Sequence, residues 1–272
     1  MHNTRPTSTQ QPVLFIGHGN PMHAIDDNPF KLEWQAWGQR LRANYPRPRA
    51  ILIISAHWMT DGWQITTAAQ PRTIHDFGGF PAELFAQQYP APGSPAIAQE
   101  IMQALPQLSI RSDGEQWGLD HGSWAVLMHL FPKADIPVLQ LSLNAQASLE
   151  EHYRAGQALA QLRQQGVLLI GSGNTVHNFG LMRAPRQHPL WQQVFAFDAQ
   201  IAQALEQRQH QSLYQFDSPA ALELLRSAHP SLEHYAPLLY AAGASQANDS
   251  VLQFLDGNYA QAPVGMRCVQ WG

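Results

Sequence analysis

Pro12-Val13-Leu14-Phe15-Ile16-Gly17 runs straight into His18, and Ala50-Ile51-Leu52-Ile53-Ile54-Ser55-Ala56 runs into His57. Gly166-Val167-Leu168-Leu169-Ile170-Gly171 leads, after a short loop, to His177. Short apolar runs rich in Val and Ile, bounded by Gly and Pro, predict strands buried on both faces of a mostly parallel sheet. In open α/β sheets, ligands bind beyond the carboxyl ends of such strands. Histidine is also the commonest protein metal ligand and the usual acid/base near neutral pH. Imidazoles gathered on one rim of a sheet therefore predict a metal-dependent active site.

Outward from these runs, strand and helix alternate, which predicts an α/β fold, a three-layer single domain around a central mixed, mostly parallel sheet. Helical spacing covers residues 32–43, 96–105, 149–164, 190–207 and 219–226, with Pro81 suited to a first helical turn. Further strands are predicted at 64–67, 136–143 and 266–270, and residues 232–242 read as mixed. Pro90-Ala91-Pro92-Gly93-Ser94-Pro95 marks a turn. The polar residues 1–11 read as a flexible tail preceding a catalytic domain at 12–272.

Charged residues are only 13% of the 272, and the formal net charge is −4 with 13 His counted as neutral. That balance gives no reason to expect nucleic acid or an anionic membrane as partner. Neither a signal peptide nor a run long enough for a membrane span is read in the sequence. Cys268 is the only cysteine, which excludes intramolecular disulfides and thiolate metal clusters and fits a reducing, cytoplasmic setting.

A lone histidine is more often a surface or hydrogen-bonded core residue than a ligand, and His2, His152, His188 and His210 fit that reading. His129, within Val126-Leu127-Met128-His129-Leu130-Phe131, reads as a packed helix residue. His18 and His57 stand out because each directly follows a buried strand. His177 stands out because Gly171-Ser172-Gly173-Asn174 before it lets backbone approach a ligand closely. His121 follows Asp120, which could orient its imidazole or cap the next helix. Spacing alone leaves His75 and His234 open, and His23 and His229 rank lower. Gly171-Ser172-Gly173 lacks the full spacing of a nucleophile elbow, so Ser172 is a weak nucleophile candidate.

The motifs Gly17-His18-Gly19-Asn20-Pro21-Met22, Ser55-Ala56-His57-Trp58, Ile74-His75-Asp76-Phe77-Gly78-Gly79-Phe80-Pro81 and Tyr89-Pro90-Ala91-Pro92-Gly93-Ser94-Pro95 occur in this order. They are followed by Asp120-His121-Gly122-Ser123-Trp124, Ser172-Gly173-Asn174-Thr175-Val176-His177-Asn178 and Glu233-His234-Tyr235-Ala236-Pro237-Leu238. Together, from about Pro12 to the C-terminus, they resemble the class III extradiol ring-cleavage dioxygenases, in the branch of the DOPA 4,5-dioxygenases. The resemblance implies a mononuclear non-haem Fe(II) site and O2-dependent cleavage of a catechol beside its hydroxyls to a semialdehyde. Zn(II) can occupy the iron position in such proteins.

The resemblance further implies metal ligation by His18, His57 and His234, with His177 near enough to serve as a fourth ligand to zinc. It makes His177 and His121 the catalytic pair, His177 as acid/base and His121 close to the substrate or bound oxygen, and sets His75 and His121 among the substrate-binding residues. Protocatechuate-type members of the wider family use two His and a Glu, so Glu233 stands as the alternative to His234. The rival readings are a zinc-dependent hydrolase built on the same His-rich site and a non-catalytic metal-binding protein.

Overall fold

The computed structural model describes residues 10–255 and 263–272. Its strands are β1 (Val13–Gly17), β2 (Ala50–Thr60), β3 (Gln64–Ile65), β4 (Arg111–Ser112), β5 (Val138–Asn144), β6 (Val167–Gly173), β7 (Val251–Phe254) and β8 (Cys268–Trp271). They form one sheet in the order β4-β3-β5-β2-β6-β1-β8-β7. The central strands β5, β2, β6 and β1 run parallel, whereas β3 on β5, β8 on β1 and β7 on β8 are antiparallel. The mixed, mostly parallel sheet expected from the apolar runs is the sheet observed.

The helices are α1 (Pro29–Asn44), α2 (Ala82–Phe85), α3 (Pro95–Ala104), α4 (His121–Leu130), α5 (Leu149–Leu159), α6 (Pro189–Glu206), α7 (Pro219–Ala228) and α8 (Ala236–Ala244). Alternate strand residues feed two cores, as the two-residue period of a strand requires. Leu14, Ile16, Ile51, Ile53, Leu168 and Ile170 face α1 and α4. Val13, Phe15, Leu52, Ile54, Leu139 and Leu169 face α3, α5, α6 and α8. Helices thus cover both faces of the sheet, giving three layers.

Several boundaries differ from the sequence reading. β2 continues past His57 to Thr60, with its register on β5 shifted between Ile54 and Met59. His57 therefore lies inside an irregular strand rather than just after a regular one. The helix expected over 149–164 gives way at Ala160 to a tighter 3-10 stretch ending at Gly166, whose φ of 78° suits glycine. The mixed segment at 232–242 contains α8, every residue of which is buried, so no amphipathic period marks it. The expected tail over residues 1–11 lies, for residues 1–9, outside the described residues. Gln11 is buried, with its backbone N–H and C=O both bonded to Arg163.

Close approach of backbone sets the next layer in place. A Cβ on Gly171 or Gly173 of β6 would lie 2.2 Å from the carbonyl oxygen of Pro237 or His234. Glycine at these positions lets α8 and its leading turn lie directly on the end of β6, where the third histidine is needed. Among the described residues, no helix is long and apolar enough to cross a membrane.

Candidate metal centre and active site

The parallel strands β1, β2 and β6 point their carboxyl ends to one rim, and five histidines meet there. His18 follows β1 at once, and its backbone N–H donates to Gly173 at the end of β6 (3.1 Å). The loop after β6 is stitched to the turn before α8 and to the end of α7: Asn174 N–H donates to the His234 carbonyl (2.8 Å), and His177 N–H to that of Ala228 (3.0 Å). His121 opens α4, whose N-cap is Asp120, with its side chain accepting from Ser123 N–H. Asp120 therefore takes the capping role, and its Oδ1 also accepts from Ser55 Oγ (2.7 Å).

His18, His57 and His234 offer nitrogens that all lie within 4.8 Å of one another. Each has its Nδ1 against a fixed partner. His18 Nδ1 is 3.0 Å from Ser172 Oγ, His57 Nδ1 is 3.1 Å from Asp76 Oδ2, and His234 Nδ1 is 3.0 Å from Glu233 Oε1. Ser172 Oγ itself donates to the Gly122 carbonyl, which leaves it to accept from His18. With Nδ1 engaged, Nε2 is the nitrogen each ring offers, and those of His18 and His57 stand 3.1 Å apart. Two nitrogens bound to one ion at about 2.0–2.1 Å stand about 3–3.5 Å apart, so the His18–His57 pair has the spacing of two ligands on one divalent metal, with His234 within 4.8 Å as the third donor of the group. The anchoring of each Nδ1 by a hydroxyl or carboxylate is the usual support of a metal-binding imidazole.

Two more histidines flank this trio. The ring of His121 lies 4.0 Å from that of His57, and its Nδ1 is 3.0 Å from Asp76 Oδ1. His177 stacks on His234 at 3.5 Å with an interplanar angle of 2°. It groups with Glu233 and His234 rather than with the trio of His18, His57 and His234. His75 stands one ring further out. Its Nε2 is 3.0 Å from the Gln87 carbonyl oxygen, and its ring packs on Phe77, Phe85 and Trp124.

Burial sets the charge state of these rings. It pushes His18 and His234 well below the ordinary imidazole value, aided by neighbouring histidines. Burial likewise takes His177 to about 4 and lowers His121, the latter together with His57 and against the Asp76 contact. His57 is the exception: burial opposes its protonation, but Asp76, Asp120 and Glu233 together raise it. Burial also opposes ionisation of Asp76, yet its bonds to His121 and His57 hold it well below the usual carboxylate range. The neutral imidazole is the form that binds a metal.

The sequence reading named His18, His57, His121, His177 and His234, and the fold brings these five together. It did not single out Asp76 or give Ser172 its observed place. Ser172 is a buried partner of His18, and its hydroxyl donates to the Gly122 carbonyl. Asp76 carried one signal, its place in a loop motif, but a loop carboxylate does not reveal what it faces until the chain is folded.

Residues 9–261 match the family described as the catalytic LigB subunit of aromatic ring-opening dioxygenase. The "4,5-DOPA dioxygenase extradiol" of Escherichia coli K12 is 39% identical over 255 residues, covering 92% of this chain and 91% of that protein. The Beta vulgaris protein of the same description is 40% identical, covering 87% of each. A crystal structure of an uncharacterized Escherichia coli K12 protein superposes with a TM-score of 0.72 at 33% identity, covering 97% of this chain and 100% of that one. With a histidine set fit for one metal on the rim of a parallel sheet, and with this likeness along nearly its whole length, the chain belongs to the class III extradiol, or LigB, family and is a ring-cleavage dioxygenase.

Proposed function

We propose that residues 12–272 form a mononuclear Fe(II) enzyme that opens a DOPA-like catechol by 4,5-extradiol cleavage with O2, yielding a semialdehyde. The observation that carries the metal site is the convergence of His18, His57 and His234, each anchored through Nδ1. The substrate is read from the relatives described as 4,5-DOPA dioxygenases. Zn(II) fits the same nitrogen donors and can fill the site without supporting the reaction. Bound iron supplies the change of redox state by which catechol and O2 exchange electrons, a change that zinc lacks. Glu233 serves by fixing His234, with Ser231 Oγ donating to its Oε1 at 2.9 Å.

The remaining histidines handle protons and shape. A catechol must lose at least one hydroxyl proton before its ring is electron-rich enough to react. His177, kept neutral by burial, accepts that proton at a ring nitrogen and returns it to the opening ring. His121 stands across the trio from His177 and contacts the substrate or the oxygen being transferred. His75 backs Phe77, whose ring meets that of His121 at 5.6 Å, and so forms part of the substrate wall. The reaction places both atoms of O2 in the product as one ring carbon–carbon bond breaks. A single buried thiol, Cys268, suits a reducing cytoplasm.

The test is oxygen uptake with L-DOPA and a panel of other catechols, using protein reconstituted anaerobically with Fe(II). A yellow ring-opened product should form only with both iron and O2, and the Zn(II) form should be inert. Absence of uptake with every catechol, together with ester or amide turnover by the Zn(II) form, would replace this reading with the hydrolase.

A further inference from the structure

We propose that Asp76 is a positioning residue for ring opening, a single carboxylate that fixes the His57 and His121 imidazoles as a pair. The proposal rests on the reading above, in which His57 holds the metal and His121 meets the substrate. Oδ1 accepts the backbone N–H of His121 at 2.9 Å and lies 3.0 Å from His121 Nδ1, while Oδ2 lies 3.1 Å from His57 Nδ1. An ionised carboxylate only accepts hydrogen bonds, so the hydrogen-bonded His121 ring carries its proton on Nδ1 and presents a lone pair at Nε2. The buried Oδ2, with no hydrogen-bond partner of its own and His57 Nδ1 at 3.1 Å, draws the His57 proton to Nδ1 in the same way. For His57 that is the form that binds a metal. For His121 it is the form that takes a proton from the substrate rather than offering one.

The bland account of Asp76 is a helix cap, since it accepts from the first residue of α4. That account leaves too much over. Asp120 already caps α4, with its side chain on Ser123 N–H, and a cap has no use for the second oxygen on His57. The carboxylate is also held firmly from behind. Ile74 N–H donates to the Leu119 carbonyl at 2.7 Å, and Trp124 Nε1 donates to the Ile74 carbonyl at 2.8 Å. Phe77, the next residue, packs edge-on against the His121 ring. Beyond it the loop opens out, since a Cβ on Gly78 or Gly79 would meet nothing within 4 Å. Asp76 thus sits near the end of the pinned part of the loop, where a fixed carboxylate can set two rings at once.

The experiment compares Asp76→Asn and Asp76→Glu with the parent in three measurements. The first is nitrogen NMR of ¹⁵N-histidine protein loaded with diamagnetic Zn(II). The parent should show His57 and His121 protonated at Nδ1, and Asp76→Asn should show His121 as a mixture of tautomers. The second is Zn(II) affinity by chelator competition, expected to fall about 10–100-fold in Asp76→Asn and to recover partly in Asp76→Glu. The third is turnover at saturating Fe(II), where kcat should fall at least about tenfold with KM little changed. Placed on a His121→Ala background, Asp76→Asn should add little further loss of kcat, because the two residues act as one unit.

A His121 proton on Nε2 in the parent overturns the proposal even if neither variant folds. So does an Asp76→Asn protein that merely melts earlier while keeping parental tautomers and Zn(II) affinity. If the parent opens no catechol, the function assigned above fails, while the NMR and zinc measurements still decide the role of Asp76.

Discussion

The Arg163–Asp249 pair and the histidine rim are both buried, yet the first closes on itself and the second does not. Arg163 spends its donors on Asp249 Oδ2 (2.7 Å) and Oδ1 (3.0 Å) and on the carbonyls of Gln11 and Ala244. Arg267 does the same with Asp198 and Gln253. Such networks satisfy what they bury, and their product is a fixed fold. Each histidine of the metal trio instead ties down one nitrogen and turns the other toward its neighbours. A buried group left half-committed is costly in folding terms, and the return on that cost is a site that can bind an ion.

Substitutions on the two sides should fail differently. The largest effect is expected at the trio: His18→Ala or His57→Ala should abolish stoichiometric metal uptake and ring cleavage, with the protein still folded. Metal analysis after anaerobic reconstitution checks this, and full metal content in both variants would falsify the ligand assignment. Next, His177→Ala should lower kcat by roughly 10²–10⁴-fold while metal content stays at the parental level. Near-parental turnover at saturating catechol would remove His177 from the mechanism.

On the closed side, Asp249→Ala leaves the Arg163 guanidinium buried without its carboxylate and should cost about 3–5 kcal/mol of stability. The denaturant midpoint should fall, whereas metal stoichiometry measured under native conditions should not. A loss below about 1 kcal/mol would mean that the pair matters no more than a surface ion pair does.

The smallest effect concerns a histidine of the structural kind. Trp63 Nε1 donates to Tyr240 Oη, which in turn stands 2.9 Å from His152 Nδ1. Burial takes His152 down to about 4, below the value near 6.5 that it has when unfolded. The unfolded chain therefore binds this proton more readily, so the stability tied to neutral His152 is full above about pH 6.5 and declines as pH falls toward 4. At pH 4.5 the loss should be about 2–3 kcal/mol relative to pH 7. Metal-free His152→Gln should lack this part of the acid sensitivity, and equal slopes for parent and variant between those pH values would refute it.

The contrast also explains what could be read before folding. β1, β2 and β6 were legible because a strand buried on both faces is apolar without a break, and His18 and His57 because each follows such a run. β4 carries no such mark: Arg111 and Ser112 are both exposed. β7 is a short edge strand, half-buried at most, and its alternation is too brief to count. His234 was ambiguous by spacing and gained its place from the motif around it. The roles of Asp76, Ser172 and Glu233 were hidden because each depends on which imidazole nitrogen it meets, a fact of tertiary distance and not of neighbouring sequence.

The position of β1 has a consequence for how the protein is made. Residues 13–17 pair with residues 169–173 on one side, and residues 13–15 with 269–271 on the other. An apolar strand is thus translated before either of its partners, unpaired until β6 is made and with its other edge open until β8 is made. Non-local pairing of this kind is slow and leaves unpaired edges exposed to aggregation. Chaperone capture and misfolding of nascent chains should therefore concentrate on residues 13–17, and a chain truncated before residue 268 should be left with β1 as an uncovered edge strand of its sheet.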